Sequence, residues 1–167
     1  MNEKSVRTEE DIEQAFDTYA DMIYSYSLIM LKNKSDAEDV VQDTFVKYMK
    51  HDSRFESEEH KKAWLLRVSS NLCCDMLRYS VRHRTESVDE ITENFEGTDV
   101  ISEDSGIIEA LYSVPEKYRS TLILHYVHEY KVREIAGILK ITQSAVKMRL
   151  KKGRELLENI YRKEFLS

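Results

Sequence analysis

The sequence predicts an all-α protein of two small helical domains joined by an acidic, flexible linker, the C-terminal domain being a helix-turn-helix. Three observations predict this. One proline and four glycines in 167 residues leave few helix breakers. Apolar residues recur three and four apart along most of the chain, the period of a helix with one buried face. The net charge of −6 is unevenly distributed: residues 1–83 carry 12 Lys+Arg and 16 Asp+Glu (−4), residues 84–106 carry 1 and 8 (−7), and residues 107–167 carry 12 and 7 (+5). These segments are the expected domain, linker and second domain. Domains this small bury only roughly 60% of their unfolded surface, so each is expected to be modestly stable and to favour a partner.

The first helix is expected over 8–31, with Ile12, Phe16, Tyr19, Ile23, Tyr26 and Met30 on its inward seam. Ser35, followed by Asp36, Ala37 and Glu38, reads as a capping box for a second helix striped by Ala37, Val41, Phe45 and Tyr48. A third helix is expected over 58–83 with Leu65, Val68, Leu72 and Met76 inward. From 84 to 105 no period lasts, and acidic residues, Ser, Thr and Gly97 accumulate, as in a solvated spacer.

The second set of helices is expected from about Ile107. Ser113 reads as an N-cap, with Pro115 early in the helix and Glu116 three residues on; Tyr118, Leu122 and Tyr126 then share one face. A short helix over 131–139 turns Val132, Ile135, Ala136 and Leu139 inward. Lys140 and Ile141 make a turn, and Thr142 caps a long helix held by Val146, Leu150, Leu157 and Ile160. Short helix, tight turn and capped helix form a helix-turn-helix pattern, with small Ala136 letting the two helices cross closely.

Local charge, rather than the total, decides whether a surface meets phosphate. The long helix presents Lys147, Arg149, Lys151, Lys152 and Arg154, with Gln143 and Ser144 at an N-terminal end whose free amides favour anions. Basic stripes also occur on ordinary solvated faces, so the stripe alone does not decide. Asp39, Gln42 and Asp43 fall on one exposed helical face and present carboxylates to a basic partner or to water. Arg67, Asn71 and Arg78 share another face.

No apolar run reaches the roughly 20 residues a membrane span needs, and the polar start Met1-Asn2-Glu3-Lys4 lacks a secretory signal, so a cytoplasmic protein with no membrane insertion is expected. Adjacent Cys73 and Cys74 suit reduced, structural roles. His125 and His128 have no cysteine or carboxylate set beside them, and no phosphate loop or nucleophile motif is present; the expectation is no catalysis, metal or cofactor.

Specific wording adds to these patterns. Val114-Pro115-Glu116-Lys117-Tyr118-Arg119, Leu124-His125-Tyr126, Glu134-Ile135-Ala136-Gly137-Ile138-Leu139 and Ala145-Val146-Lys147-Met148-Arg149-Leu150 with Gly153-Arg154 resemble the C-terminal domain of extracytoplasmic-function sigma factors of the sigma-70 family. The run from Asp36 to Phe45 resembles the segment of that family that docks on the coiled coil of the polymerase β′ subunit. Phe55, the run Ala63 to Leu72, and Asp75-Met76-Leu77-Arg78 resemble the part that opens the minus-ten element. The resemblance covers about residues 10–83 and 107–163.

It implies a dissociable polymerase subunit. Gln143, Ser144, Lys147, Met148, Arg149 and Lys151 would read the minus-thirty-five element. Phe55, Lys61, Lys62, Arg67, Asn71 and Arg78 would serve the minus-ten element, where an extruded base needs stacking and edge contacts and the freed backbone needs cations. Asp39, Gln42 and Asp43 would dock on β′. The implied partners are core RNA polymerase (β′ coiled coil and β flap), promoter DNA and an anti-sigma factor; the acidic linker would enter the RNA exit path. This chain departs from the family in having Lys140 where glycine is frequent and Ser144-Ala145 where glycine-threonine is. The alternative reading is an autonomous dimeric helix-turn-helix regulator, which needs neither of the N-terminal segments.

Overall fold

The computed structural model describes residues 7–52, 54–82 and 105–165, all of whose regular structure is helical. The expected linker lies outside the described residues except for Ser105 and Gly106, which already belong to a helix.

Helix α1 spans Glu9–Leu31, α2 Lys34–Lys50 and α3 Glu58–Arg82. Thr8 Oγ1 accepts the Asp11 amide at 3.1 Å, and three acidic residues in the first turn complement the helix dipole of α1. At its other end Lys32 adopts a left-handed conformation (φ 55°), its N–H closing on Leu28 O at 2.8 Å. Two residues therefore reverse the chain into α2. The cap of α2 is Asn33, whose Oδ1 accepts the Asp36 amide at 2.9 Å, rather than the expected Ser35.

The three helices bury Ile23, Tyr26, Leu28, Ile29, Met30, Val40, Tyr48, Leu65 and Leu66. Two expectations about faces are corrected. Phe16 remains 47% exposed, its ring resting 5.0 Å from that of Phe45 on the outside of the bundle. On α3 the buried face is Leu65, Leu66, Ser69, Ser70 and Cys73, while Val68, Leu72 and Met76 are half-buried. Small hydroxyl side chains explain the rotation: Tyr26 donates to Ser70 at 3.0 Å, and Thr44 and Ser69 share a hydrogen bond of 3.2 Å, so polar residues sit inside with their partners. Cys73 and Cys74 are free thiols, and burial pushes Cys73 up to about 12.

Helix α4 spans Ser105–Tyr112, α5 Glu116–Leu122, α6 Val132–Leu139 and α7 Gln143–Phe165. Pro115, not Ser113, occupies the cap position of α5, with no side-chain cap bond. Beyond Leu122 the chain continues as a π-helical turn, Ile123–Val127, where the His128 N–H reaches Ile123 O at 3.1 Å. The extra residue turns Tyr126 outward to 54% exposure, away from the buried Leu122 with which it was expected to share a face, and its hydroxyl accepts from Arg154 at 3.0 Å.

The two helical sets share one contiguous core. Arg119, 7% exposed, lies at their junction: it donates to Met30 O at the end of α1, to Tyr112 O at 3.1 Å and to Val114 O at 3.0 and 3.2 Å. Around it Lys32 pairs with Glu109 at 3.0 Å and Arg78 with Glu116 at 3.3 Å. On the other side of the junction the Tyr130 hydroxyl donates to Met22 Sδ at 3.4 Å.

Candidate nucleic-acid interface

The helix-turn-helix is built from local bonds that the sequence anticipates. The Lys131 N–H donates to Glu134 Oε1 at 2.9 Å at the start of α6. Lys140 ends α6 in the left-handed region (φ 55°, ψ 49°), the Ile141 N–H returns to Ala136 O at 3.1 Å, and Thr142 Oγ1 accepts the Ala145 amide at 3.0 Å. Ile135 and Ile138 of α6 meet Val146 and Leu150 of α7 inside. At Gly153 an added Cβ would come within 3.1 Å of Leu122, so the missing side chain lets α7 lie close on α5.

This packing leaves Gln143, Ser144, Lys147, Met148 and Lys151 exposed on the outer face of α7, with Met148 70% accessible. Arg149 is half-buried and faces the start of α5. There it lines a groove of about 460 Å³ with Lys117, Tyr118, Met148 and Lys152. Lys117 is a cation that sequence reasoning did not place on this surface; its position beside Pro115, where a helix begins, was the available signal. Polar groups at the tip of α7 can reach base edges, and the flanking cations can bind phosphates.

The residues expected at the minus-ten element are placed on α3 and the loop before it, in differing states. Phe55 lies in an aromatic cluster, stacked on Tyr48 (6.1 Å between centroids) and His51 (5.4 Å) and edge-on to Trp64 (5.7 Å). Asn71 is exposed, about 10 Å further along α3 than Trp64. The Lys61 ammonium is shared between Asp11 (3.5 Å) and Glu58 (3.3 Å), so carboxylates already occupy it. Lys62 lies over the Tyr130 ring at 4.9 Å, Arg67 Nε donates to Ile138 O at 3.2 Å, and Arg78 holds Glu116. Three cations of this set thus touch the second helical set. Burial lowers the pKa of Arg67 from the ordinary arginine value.

Asp39, Gln42 and Asp43 stand exposed on the outer face of α2, with Glu38 beside them. Burial, then the neighbouring Asp39, raises the pKa of Asp36 at the start of this acidic row. His125 Nδ1 lies 2.9 Å from Tyr130 O, and His128 packs between the rings of Tyr26 and Tyr130. No described helix is long and apolar enough to cross a membrane.

Comparison with known proteins gives a consistent result. The family model for sigma-70 region 2 matches residues 15–83, and that for sigma-70 region 4 matches residues 106–157. The ECF RNA polymerase sigma factor SigW of Bacillus subtilis is 30% identical over 156 residues, covering 84% of this chain and 83% of SigW. SigM of the same organism is 28% identical over 159 residues, covering 90% and 94%. Two solved structures share the fold. The sigma factor RpoE, in complex with the anti-sigma factor NepR from Bartonella quintana, superposes with a TM-score of 0.70 at 21% identity, covering 93% of this chain and 99% of RpoE. CnrH, in complex with the cytosolic domain of CnrY, superposes with a TM-score of 0.71 at 20% identity, covering 94% and 91%.

Proposed function

The chain belongs to the extracytoplasmic-function sigma factors of the sigma-70 family, and from that premise we propose how its surfaces divide the work of promoter-specific initiation. Such a protein is a transcription initiation factor; RNA synthesis is catalysed by the polymerase it joins. Core polymerase docks on the acidic outer face of α2 through Asp39, Gln42 and Asp43. The outer face of α7 reads the minus-thirty-five element with Gln143, Ser144, Lys147, Met148, Arg149 and Lys151. Helix α3 serves the opened minus-ten strand with Asn71 and the cations Lys62, Arg67 and Arg78, Phe55 and Lys61 shaping the adjoining loop. Residues 1–83 and 107–167 are the two functional domains and 84–106 their connector.

The single observation that supports this division most is the separation of charge on exposed faces: the carboxylates Glu38, Asp39 and Asp43 on α2, and cations with polar tips on α7. A protein partner with a basic surface and a polyanion then meet different helices. The protein acts in the cytoplasm, where polymerase and promoter are. An anti-sigma factor is a further expected partner, as NepR is for RpoE.

The test separates the two faces. Asp39→Lys with Asp43→Lys should weaken binding to purified core polymerase at least about tenfold while leaving duplex promoter binding by α7 intact. Arg149→Ala should do the opposite, costing about 1–3 kcal/mol of upstream-element recognition. Loss of core binding in Arg149→Ala would contradict the assignment.

A further inference from the structure

The loop that enters α3 is closed by an imidazole. Resting on the minus-ten reading above, we propose that His60 is a positioning residue for Phe55: a proton-sensitive latch that holds residues 54–57 in place for base stacking while its Nδ1 carries no proton.

The latch is a variant of the reciprocal cap that starts many helices. Ser57 Oγ accepts the His60 N–H at 3.0 Å, and the Ser57 carbonyl accepts the Lys61 N–H at 3.1 Å, so Ser57 caps α3. In a capping box a Glu or Gln three residues beyond the cap reaches back to a backbone amide. Here that position is His60, whose Nδ1 accepts the Glu56 N–H at 3.1 Å. A neutral imidazole accepts there with its proton on Nε2, whereas an imidazolium has N–H donors at both nitrogens and loses the bond. Histidine thus gives the cap a proton dependence that Gln would not.

The same ring touches the aromatic group it positions. His60 lies edge-on to Phe55 at 5.3 Å, and Phe55 precedes Glu56 in the chain, so the latch fixes both the backbone beside Phe55 and one side of its ring. Arg7 meets that ring at 5.0 Å, and His51 at the end of α2 stacks on it at 5.4 Å. Burial, and then Arg7, lower the pKa of His51, which favours its neutral, stacking form; Asp52 acts in the opposite sense. Glu56, Glu58 and Glu59 flank His60 in the chain, and Glu58 is already engaged by Tyr19 and Lys61. His60 itself is exposed, so solvent protons reach it directly.

Acidification therefore has two effects of opposite sign on a bound strand. The imidazolium adds a cation that attracts phosphates whatever their bases. Loss of the Glu56 bond frees Phe55 and weakens contact with the bases themselves. Only the second belongs to the latch, and a strand without bases separates it from the first.

The experiment uses the full chain as wild type, His60→Asn and His60→Ala. Asparagine places Oδ1 where Nδ1 stood and does not titrate; alanine removes the acceptor. NMR of each chain follows the Glu56 amide and the His60 ring between about pH 8 and about pH 5.5. Fluorescence anisotropy of each chain bound to core polymerase gives its base preference: the affinity for a labelled single-stranded DNA of random sequence divided by that for a base-free strand of the same length. In wild type the Glu56 amide should shift in step with the His60 ring, and base preference should fall about threefold on acidification, the scale of one hydrogen bond exposed to solvent. His60→Asn should keep both at their high-pH values throughout, and His60→Ala should show the low preference at either pH. A Glu56 amide that does not follow His60, or a preference that falls equally in wild type and His60→Asn, would overturn the latch. A wild-type complex with no base preference at either pH would overturn the minus-ten reading, and with it the role of the latch in stacking, even where the Glu56 step is intact.

Discussion

At position 119 the chain buries a guanidinium whose hydrogen-bond partners are backbone carbonyls, and the reason lies in where those carbonyls are. Met30 O and Tyr112 O stand at the ends of α1 and α4, where unpaired carbonyls concentrate negative potential. Burial disfavours the charge, and Glu116 and Tyr112 act in the opposite sense. The planar fork of arginine bonds three carbonyls at once, which lysine cannot. Arg119→Met should lower unfolding stability by about 3 kcal/mol, because it strands buried acceptors. Urea denaturation checks this, and a loss below about 1 kcal/mol would contradict it. Arg119→Lys should recover only part. The sequence places Arg119 in the Val114–Arg119 run but not at a junction, since Met30 lies 89 positions away. The exposure of residues such as Asp39 and Lys147, by contrast, is legible from helical spacing.

At the scale of elements, the sequence marks an element most clearly where the bonds that define it are local. The ends of α1 and the α6-turn-α7 unit follow from Thr8, Lys140 and Thr142, each of which bonds within a turn of itself. Asn33 displaced Ser35 as a cap because two residues suffice to reverse the chain. The inward face of α3 departs from the apolar spacing because Ser69 and Ser70 are polar by type yet sit inside against Thr44 and Tyr26. The π-helical turn at Ile123–Val127 has no pattern signal at all, since one added residue shifts the register without changing composition. Lys140 is the element-scale position most open to test. A side chain held in the left-handed region costs roughly 1–2 kcal/mol relative to glycine's freedom there. Lys140→Gly should therefore raise stability by about 1 kcal/mol and the melting temperature with it; calorimetry that finds it destabilised would show that the Lys140 side chain supports the turn.

At the scale of the whole molecule, the two helical sets that the sequence separates by charge are joined by side chains that the sequence scatters. Met22, Lys32 and Arg78 come from the first set, and Glu109, Glu116, Arg119 and Tyr130 from the second. None of these pairs has a spacing that could mark it in advance, so the fold class was legible and the docking was not. The docking leaves the outer face of α7 exposed while Lys62, Arg67 and Arg78 of α3 touch the second set. A protein of this build needs a partner to complete its work, and the acidic outer face of α2 remains accessible to one in the docked state. Transcription from a set of candidate promoters by purified bacterial core polymerase, with and without this chain and with no other sigma factor present, tests that account most directly. New transcripts from specific promoters, lost with Asp39→Lys and Asp43→Lys together, are the predicted result; no core binding and no transcripts with a compatible polymerase would contradict it.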